Sequence, residues 1–284
     1  MSDYLDLLRL PFMQRALLAA VFTGIAAPAV GTYLVQRRLA LMGDGIGHVA
    51  VTGVAIGLLT GLSPTWTAVG VAVVGAVVIE VIRERGHANG DVALALLFYG
   101  GLAGGVLITG LAGQSGARLQ QYLFGSITTI SASDVVVAMV LAAVVVVVCV
   151  GLAPQLFAVA HDQEFAQVAG LRIRVYNLLV AVLAAVSVTV AMRTVGLLLV
   201  SALMVVPVAT AQQVSRTFRT TLAAAMVLGT LASIGGLLLS AGAPAGTRVA
   251  PGAVGVQAGT VGNRPGRRAE IGRRREGQSL GKGN

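Results

Sequence analysis

Stretches of about 20 residues with almost no charge recur along this chain, each long enough to cross a bilayer as a helix. They fall at about 16–35, 42–62, 65–82, 92–111, 135–153, 175–192, 195–211 and 222–240. The whole chain is 56% hydrophobic and 11% charged, with mean hydropathy +0.86. A soluble domain carries about 25% charged residues, so a water-facing fold is excluded. The expected fold class is therefore all-α, a polytopic membrane protein with about eight transmembrane helices in the lipid bilayer. Residues 1–15, with Leu5, Leu7, Leu8, Leu10 and Phe12, read as an N-terminal interfacial segment. Asp3 and Asp6 stand where a signal peptide would carry basic residues, so the first helix is expected to be retained. Residues 16–240 form the expected membrane domain.

Loop charges orient the set. Arg37 and Arg38 follow the first stretch, and Arg83 and Arg85 the third. Arg172 and Arg174 precede the sixth, and Arg216 and Arg219 lie between the last two. All four loops then share one side, the cytoplasmic one. The opposite loops hold only Arg118 and Arg193.

From Ala241 to Asn284 the composition changes abruptly, with eleven glycines and eight Lys/Arg against Glu270 and Glu276. That tail supplies +6 of the +9 net charge and is expected to be disordered. The high isoelectric point rests largely on it, so no nucleic-acid partner is expected. Cys149, the single cysteine, sits in a valine run and reads as an apolar filler.

The stretch 42-MGDGIGHVAVTGVAIGLLTGL-62 places Asp44 and His48 four residues apart, on one face of a helix. An ionisable pair in lipid is costly and is usually kept for ion handling. A carboxylate oxygen and a neutral imidazole nitrogen suit zinc or manganese. Two-fold pairing of second spans would supply two of each ligand. Thr52, one turn on, is a third candidate for the path. The plainer alternatives are a hydrogen bond within the bundle or a helix cap. Gly43 and Gly47, and Gly53, Gly57 and Gly61, recur at a spacing that allows close helix packing. Glu80, near Arg83 and Glu84, reads as snorkelling or locally ion-paired rather than metal-binding. Asp91 and Asp134 read as caps, His87 as solvated, Arg193 as an interface anchor and Pro207 as a kink.

Two loops exceed simple connectors. The segment 117-ARLQQYLFGSI-127 reads as a short or re-entrant helix on the outer face. Residues 154–174 read as an amphipathic cytoplasmic helix with Phe157, His161, Phe165 and Val168 on one face, ended by Gly170. Such an element docks on a partner, with His161 in contact rather than ligation.

Four segments, 37-RRLALMGDGIGHVAVTGVAIG-57, 119-LQQYLFGSI-127, 161-HDQEFAQVAGLRIRVYN-177 and 195-VGLLLVSALMVVPVATAQQ-213, occur together in this order. Over about residues 8–240 the chain resembles the permease subunit of an ATP-binding-cassette importer of the zinc/manganese branch. The resemblance implies a type II importer-like permease that works as a homodimer, with a separate ATPase subunit and an extracellular metal-binding protein as partners. It implies that Asp44 and His48 line the metal path. It also implies that His161, Asp162, Glu164, Ala166 and Gly170 form the coupling helix to the ATPase, Glu164, Ala166 and Gly170 fitting its E-x-A-x-x-x-G pattern. The transported zinc or manganese is substrate, and no permanently bound cofactor is expected. The family continues past the position of Ser240 with another spanning helix, where this chain enters its Gly/Arg tail. That departure suggests a frame-altered C-terminus, which the other reading frames of the coding DNA would reveal.

No G-x-x-x-x-G-K-[ST] phosphate loop occurs, so the chain is expected to be no enzyme and to take its energy from a partner. The competing readings are a self-sufficient proton-coupled secondary cation transporter and a structural membrane subunit. The docking-type loop argues against the secondary transporter.

Overall fold

The computed structural model describes residues 10–84, 90–111, 125 and 132–242. The helices are α1 (Pro11–Gln36), α2 (Met42–Thr60), α3 (Pro64–Glu84), α4 (Gly90–Leu111) and α5 (Ala132–Gly151), then α6 (Ala153–His161) and α7 (Gln163–Val168). They are followed by α8 (Ile173–Thr194), α9 (Leu197–Val214) and α10 (Phe218–Gly242), and no strand occurs among the described residues.

Six of these helices are long and apolar enough to cross a membrane, or seven if α5 and α6 make one bent span. Among the described residues the expected count of eight is not confirmed. The α5–α6 pair bends by 71°, where Pro154 in the first turn of α6 has no N–H to continue the ladder. Helix α9 spans Leu197–Val214, 18 residues with Pro207 inside, and is apolar over Leu199–Val214. The first helix also begins at Pro11 rather than at Ala16, with proline in the opening turn where its missing N–H costs nothing.

Helices α1, α2 and α8 form the buried centre. Their approach is set by glycine. A Cβ on Gly53 of α2 would lie 2.7 Å from Ala68 Cα of α3. One on Gly101 of α4 would lie 2.6 Å from Val49 N and 2.8 Å from His48 C of α2. The glycine stripe of α2 thus meets α3, and a glycine of α4 lets a second helix reach the backbone beside His48. Cys149 is fully buried, and its carbonyl, freed by the bend, accepts a 2.6 Å bond from Tyr33 Oη.

Three of the arginine-bearing loops meet at one end. Arg37 at the end of α1 lies 3.2 Å from Glu80 Oε1 of α3, and Arg83 lies 2.7 Å from the same oxygen. Arg174 in the first turn of α8 donates to Glu84 at 2.8 Å. Phe218, which opens α10 beside Arg216 and Arg219, packs on Tyr33 and Phe157 and brings the fourth loop to the same end. Glu80 does not snorkel: its side chain is 0% exposed, and the local pair with Arg83 is completed by Arg37 from another helix. Removing one partner of such a buried pair costs about 3–5 kcal/mol.

The expected single amphipathic helix over 154–174 is two helices. Asp162 is extended (φ −146, ψ 106) and caps α7 by accepting from Phe165 N at 3.0 Å. Phe157 therefore packs on Phe218, and the exposed His161 stacks on Phe157 and meets Gln36. Phe165 and Val168 point outward instead, 65% and 89% exposed. The expectations for most of 112–133, His87, the Gly/Arg tail beyond Gly242 and residues 1–9 fall outside the described residues, as do the side chains of Asp91, Asp134 and Arg193.

The packing predicts opposite outcomes for two glycines. Gly101→Ala forces α4 away from α2 and should cost about 1–3 kcal/mol, read as earlier thermal unfolding in detergent. Gly70→Ala, with nothing within 4 Å, should be neutral or slightly stabilising, by up to about 1 kcal/mol.

Candidate metal site

The site begins at the corner between α1 and α2. Arg38 takes a left-handed φ of 58, Arg38 N donates to Val35 O, and Leu39 N donates to Leu34 O at 2.8 Å. This closes α1 in the double-bonded stop usually made by glycine, with Leu39 and Leu34 buried together. Met42 N then bonds Leu39 O, so α2 starts without a break and carries Asp44 in its first turn. A carboxylate is favoured there by the helix dipole. It is not the cap: Leu41 holds that position and makes no side-chain cap bond.

His48 follows one turn later, 6% exposed, with Nε2 3.9 Å from Asp44 Oδ1. That is too long for a hydrogen bond. It is a little wider than the roughly 3.4 Å between two ligands about 2.1 Å from one tetrahedral ion. The ring of Phe98 on α4 meets the imidazole edge-on at 4.2 Å and fixes its tilt. His48 Nδ1 is buried with no hydrogen-bond partner in the protein. Asp44 is engaged on one side only, where Ser201 Oγ of α9 donates to Oδ1 at 3.0 Å, and the carboxyl side chain keeps 28% of its surface exposed.

The stripe Asp44, His48, Thr52 and Ile56 runs up the less covered flank of α2, between α4 and α9. Thr52 is on this stripe, but its hydroxyl is taken: it donates to Gly101 O at 2.6 Å and ties α2 to α4. Among the described residues no cluster of three or more His, Cys, Asp or Glu exists. One chain thus offers an Asp–His pair plus the Ser201 hydroxyl. Ser201 and Phe98 were not singled out in the sequence, since a lone serine or phenylalanine in an apolar span looks like packing.

The five residues expected to couple to an ATPase lie together at the charged end. His161 Nδ1 is 3.2 Å from Gln36 Nε2, and Asp162 is the α7 cap. Glu164 is exposed, whereas Ala166 is fully buried and seats the helix. Gly170 takes φ 81, with its N–H bonded to Gln167 O and Leu171 N to Ala166 O, which stops α7. Of the five only Ala166 is buried; His161, Asp162, Glu164 and Gly170 are exposed, as are Phe165 and Val168.

This architecture has known counterparts. The model of the ABC 3 transport family matches residues 9–259. The chain is 33% identical to the manganese import system permease protein ScaB of Streptococcus parasanguinis, covering 84% of this chain and 85% of that one. It is 27% identical to the high-affinity zinc uptake system membrane protein ZnuB of Haemophilus influenzae, over 80% of this chain and 87% of that one. Among solved structures, PsaBC from Streptococcus pneumoniae in complex with Fab superposes with a TM-score of 0.81 at 28% identity, covering 92% of each chain. The chain therefore belongs to the ABC 3 transport family, as a multi-pass cell-membrane permease subunit of the manganese and zinc importers' kind and not an ATP-hydrolysing enzyme.

Proposed function

We propose that this chain is the permease of an ATP-driven importer of manganese or zinc, and that the ion crosses by way of Asp44 and His48. The observation that carries the reading is the state of that pair: a half-open carboxylate and a buried imidazole nitrogen without a protein partner, one helical turn apart on the α2 flank between α4 and α9. Both ions accept oxygen and nitrogen ligands, and relatives named for each support them equally. The absence of thiolate favours a site that releases its ion, as a path requires.

Energy comes from a separate ATPase subunit that docks on the exposed Glu164, Phe165 and Val168 of α7. A metal-binding protein delivers the ion at the opposite face. Pairing of two permeases brings a second Asp44 and His48 to the seam and completes the ligand set. Closure of the ATPases moves α6 and α7, rocks the paired permeases and exposes the site to each side in turn.

Reconstituted with its ATPase and binding protein, the protein should take up radioactive manganese or zinc in an ATP-dependent manner. Asp44→Ala and His48→Ala should each abolish uptake while assembly persists; full uptake by both variants sinks the site. Accumulation of metal by vesicles holding this chain alone would instead favour the proton-coupled carrier.

Ser201→Ala should lower metal affinity about 10-fold, because Asp44 loses the hydroxyl that orients it. Equilibrium dialysis of manganese against the purified complex would read this.

A further inference from the structure

The contacts on either side of α7 converge on one corner. Before α7, His161 Nδ1 lies 3.2 Å from Gln36 Nε2, on the last residue of α1. After α7, Arg174 Nε donates to Glu84 Oε2 at 2.8 Å. Glu84 shares a face of α3 with Glu80, one turn earlier. Glu80 Oε1 then takes Arg37 Nη2 at 3.2 Å, on the residue after Gln36. Arg37 opens the tight corner, with Arg38 in its left-handed conformation, that leads within seven residues to Asp44. A segment with few internal degrees of freedom thus joins the display helix α7 to the turn that presents the carboxylate.

We propose that Arg174, Glu84, Glu80 and Arg37 form an ionic strut that transmits the position of α7 to the Asp44 turn, making them positioning residues for metal transfer. This rests on the transport reading above. The strut has two properties that suit it to the task. Its inner joint is dry: the Arg37 side chain is 5% and Glu80 0% exposed, so the pair is not screened by water or salt. Its outer joint is wet on one side, Arg174 being 76% exposed against 16% for Glu84, so Arg174 can yield when α7 is pushed. The Gln36–His161 contact holds the same corner from the other side, so α7 cannot shift without loading both arms.

The outer joint is the place to test the proposal, because Arg174 is open to solvent and its reversal should fold; Glu84 is only 16% exposed, so thermal unfolding of each variant is measured beside activity. Arg174→Glu and Glu84→Arg would be made singly and together in the complete transporter, with metal moved per ATP hydrolysed and manganese affinity both measured. Each single reversal should lower metal moved per ATP by about fivefold while ATP hydrolysis continues. The double reversal restores the opposite charges and should restore the ratio. A ratio that is unchanged in the single variants, or that the double variant fails to restore, overturns the strut. A proportionate fall of hydrolysis and transport together also overturns it, since that is what simple loss of folded protein gives. A wild-type complex that moves no metal overturns the transport reading itself, and the strut with it. Glu80→Gln keeps a bond to Arg83 but drops the charge; it should lower the same ratio, and an unaltered ratio in folded protein is a second refutation.

Discussion

A carboxylate with no access to water, Glu80, is the contact on which the charged end of this bundle depends. Its Oε1 receives guanidinium groups from its own helix and from the end of α1. Such an ion pair is retained at a desolvation cost, and its loss would leave a bare charge in a low-dielectric region. The pair determines where α1 stops relative to α3, and through that corner where α2 begins. The register of α2 decides which face carries Asp44 and His48.

The bundle therefore holds two kinds of carboxylate. Glu80 takes two arginines on Oε1, while its buried Oε2 has no hydrogen-bond partner in the protein. Asp44 has only a hydroxyl against it and keeps part of its surface open, while its neighbour His48 has a ring nitrogen with no protein partner. The two carboxylates differ in charge balance and access: Glu80 is neutralised by two guanidinium groups and sealed, whereas Asp44 has, among the described residues, neither a lysine nor an arginine against it and keeps an open face.

Much of this was legible in the residues. Uncharged stretches located the helices, since a bilayer demands apolar length and little else. Paired arginines grouped the loops correctly at one end, because charge alone disfavours their crossing. The four-residue spacing of Asp44 and His48 put them on one face by helical geometry. The bend at Leu152 and the break at Asp162 were less legible. Pro154 and Asp162 are each compatible with a continuing or a broken helix until neighbours choose, and here Tyr33 caps the freed carbonyl of Cys149 while Asp162 caps α7. The misplacement of Phe165 and Val168 on the face of Phe157 follows directly from that break.

What the amino-acid order determined by itself is local and periodic: an all-helical membrane chain, the side on which its arginines gather, and one candidate pair on one helix face. Partners from distant parts of the chain were decided only by the tertiary structure. Ser201 reaches Asp44 across 157 positions, and Arg37 reaches Glu80 across 43. Spacing along a helix is dictated by backbone geometry, whereas a contact between helices depends on how closely glycine lets them approach and on which rotations bury the remaining charge, and neither is written in any short stretch of sequence.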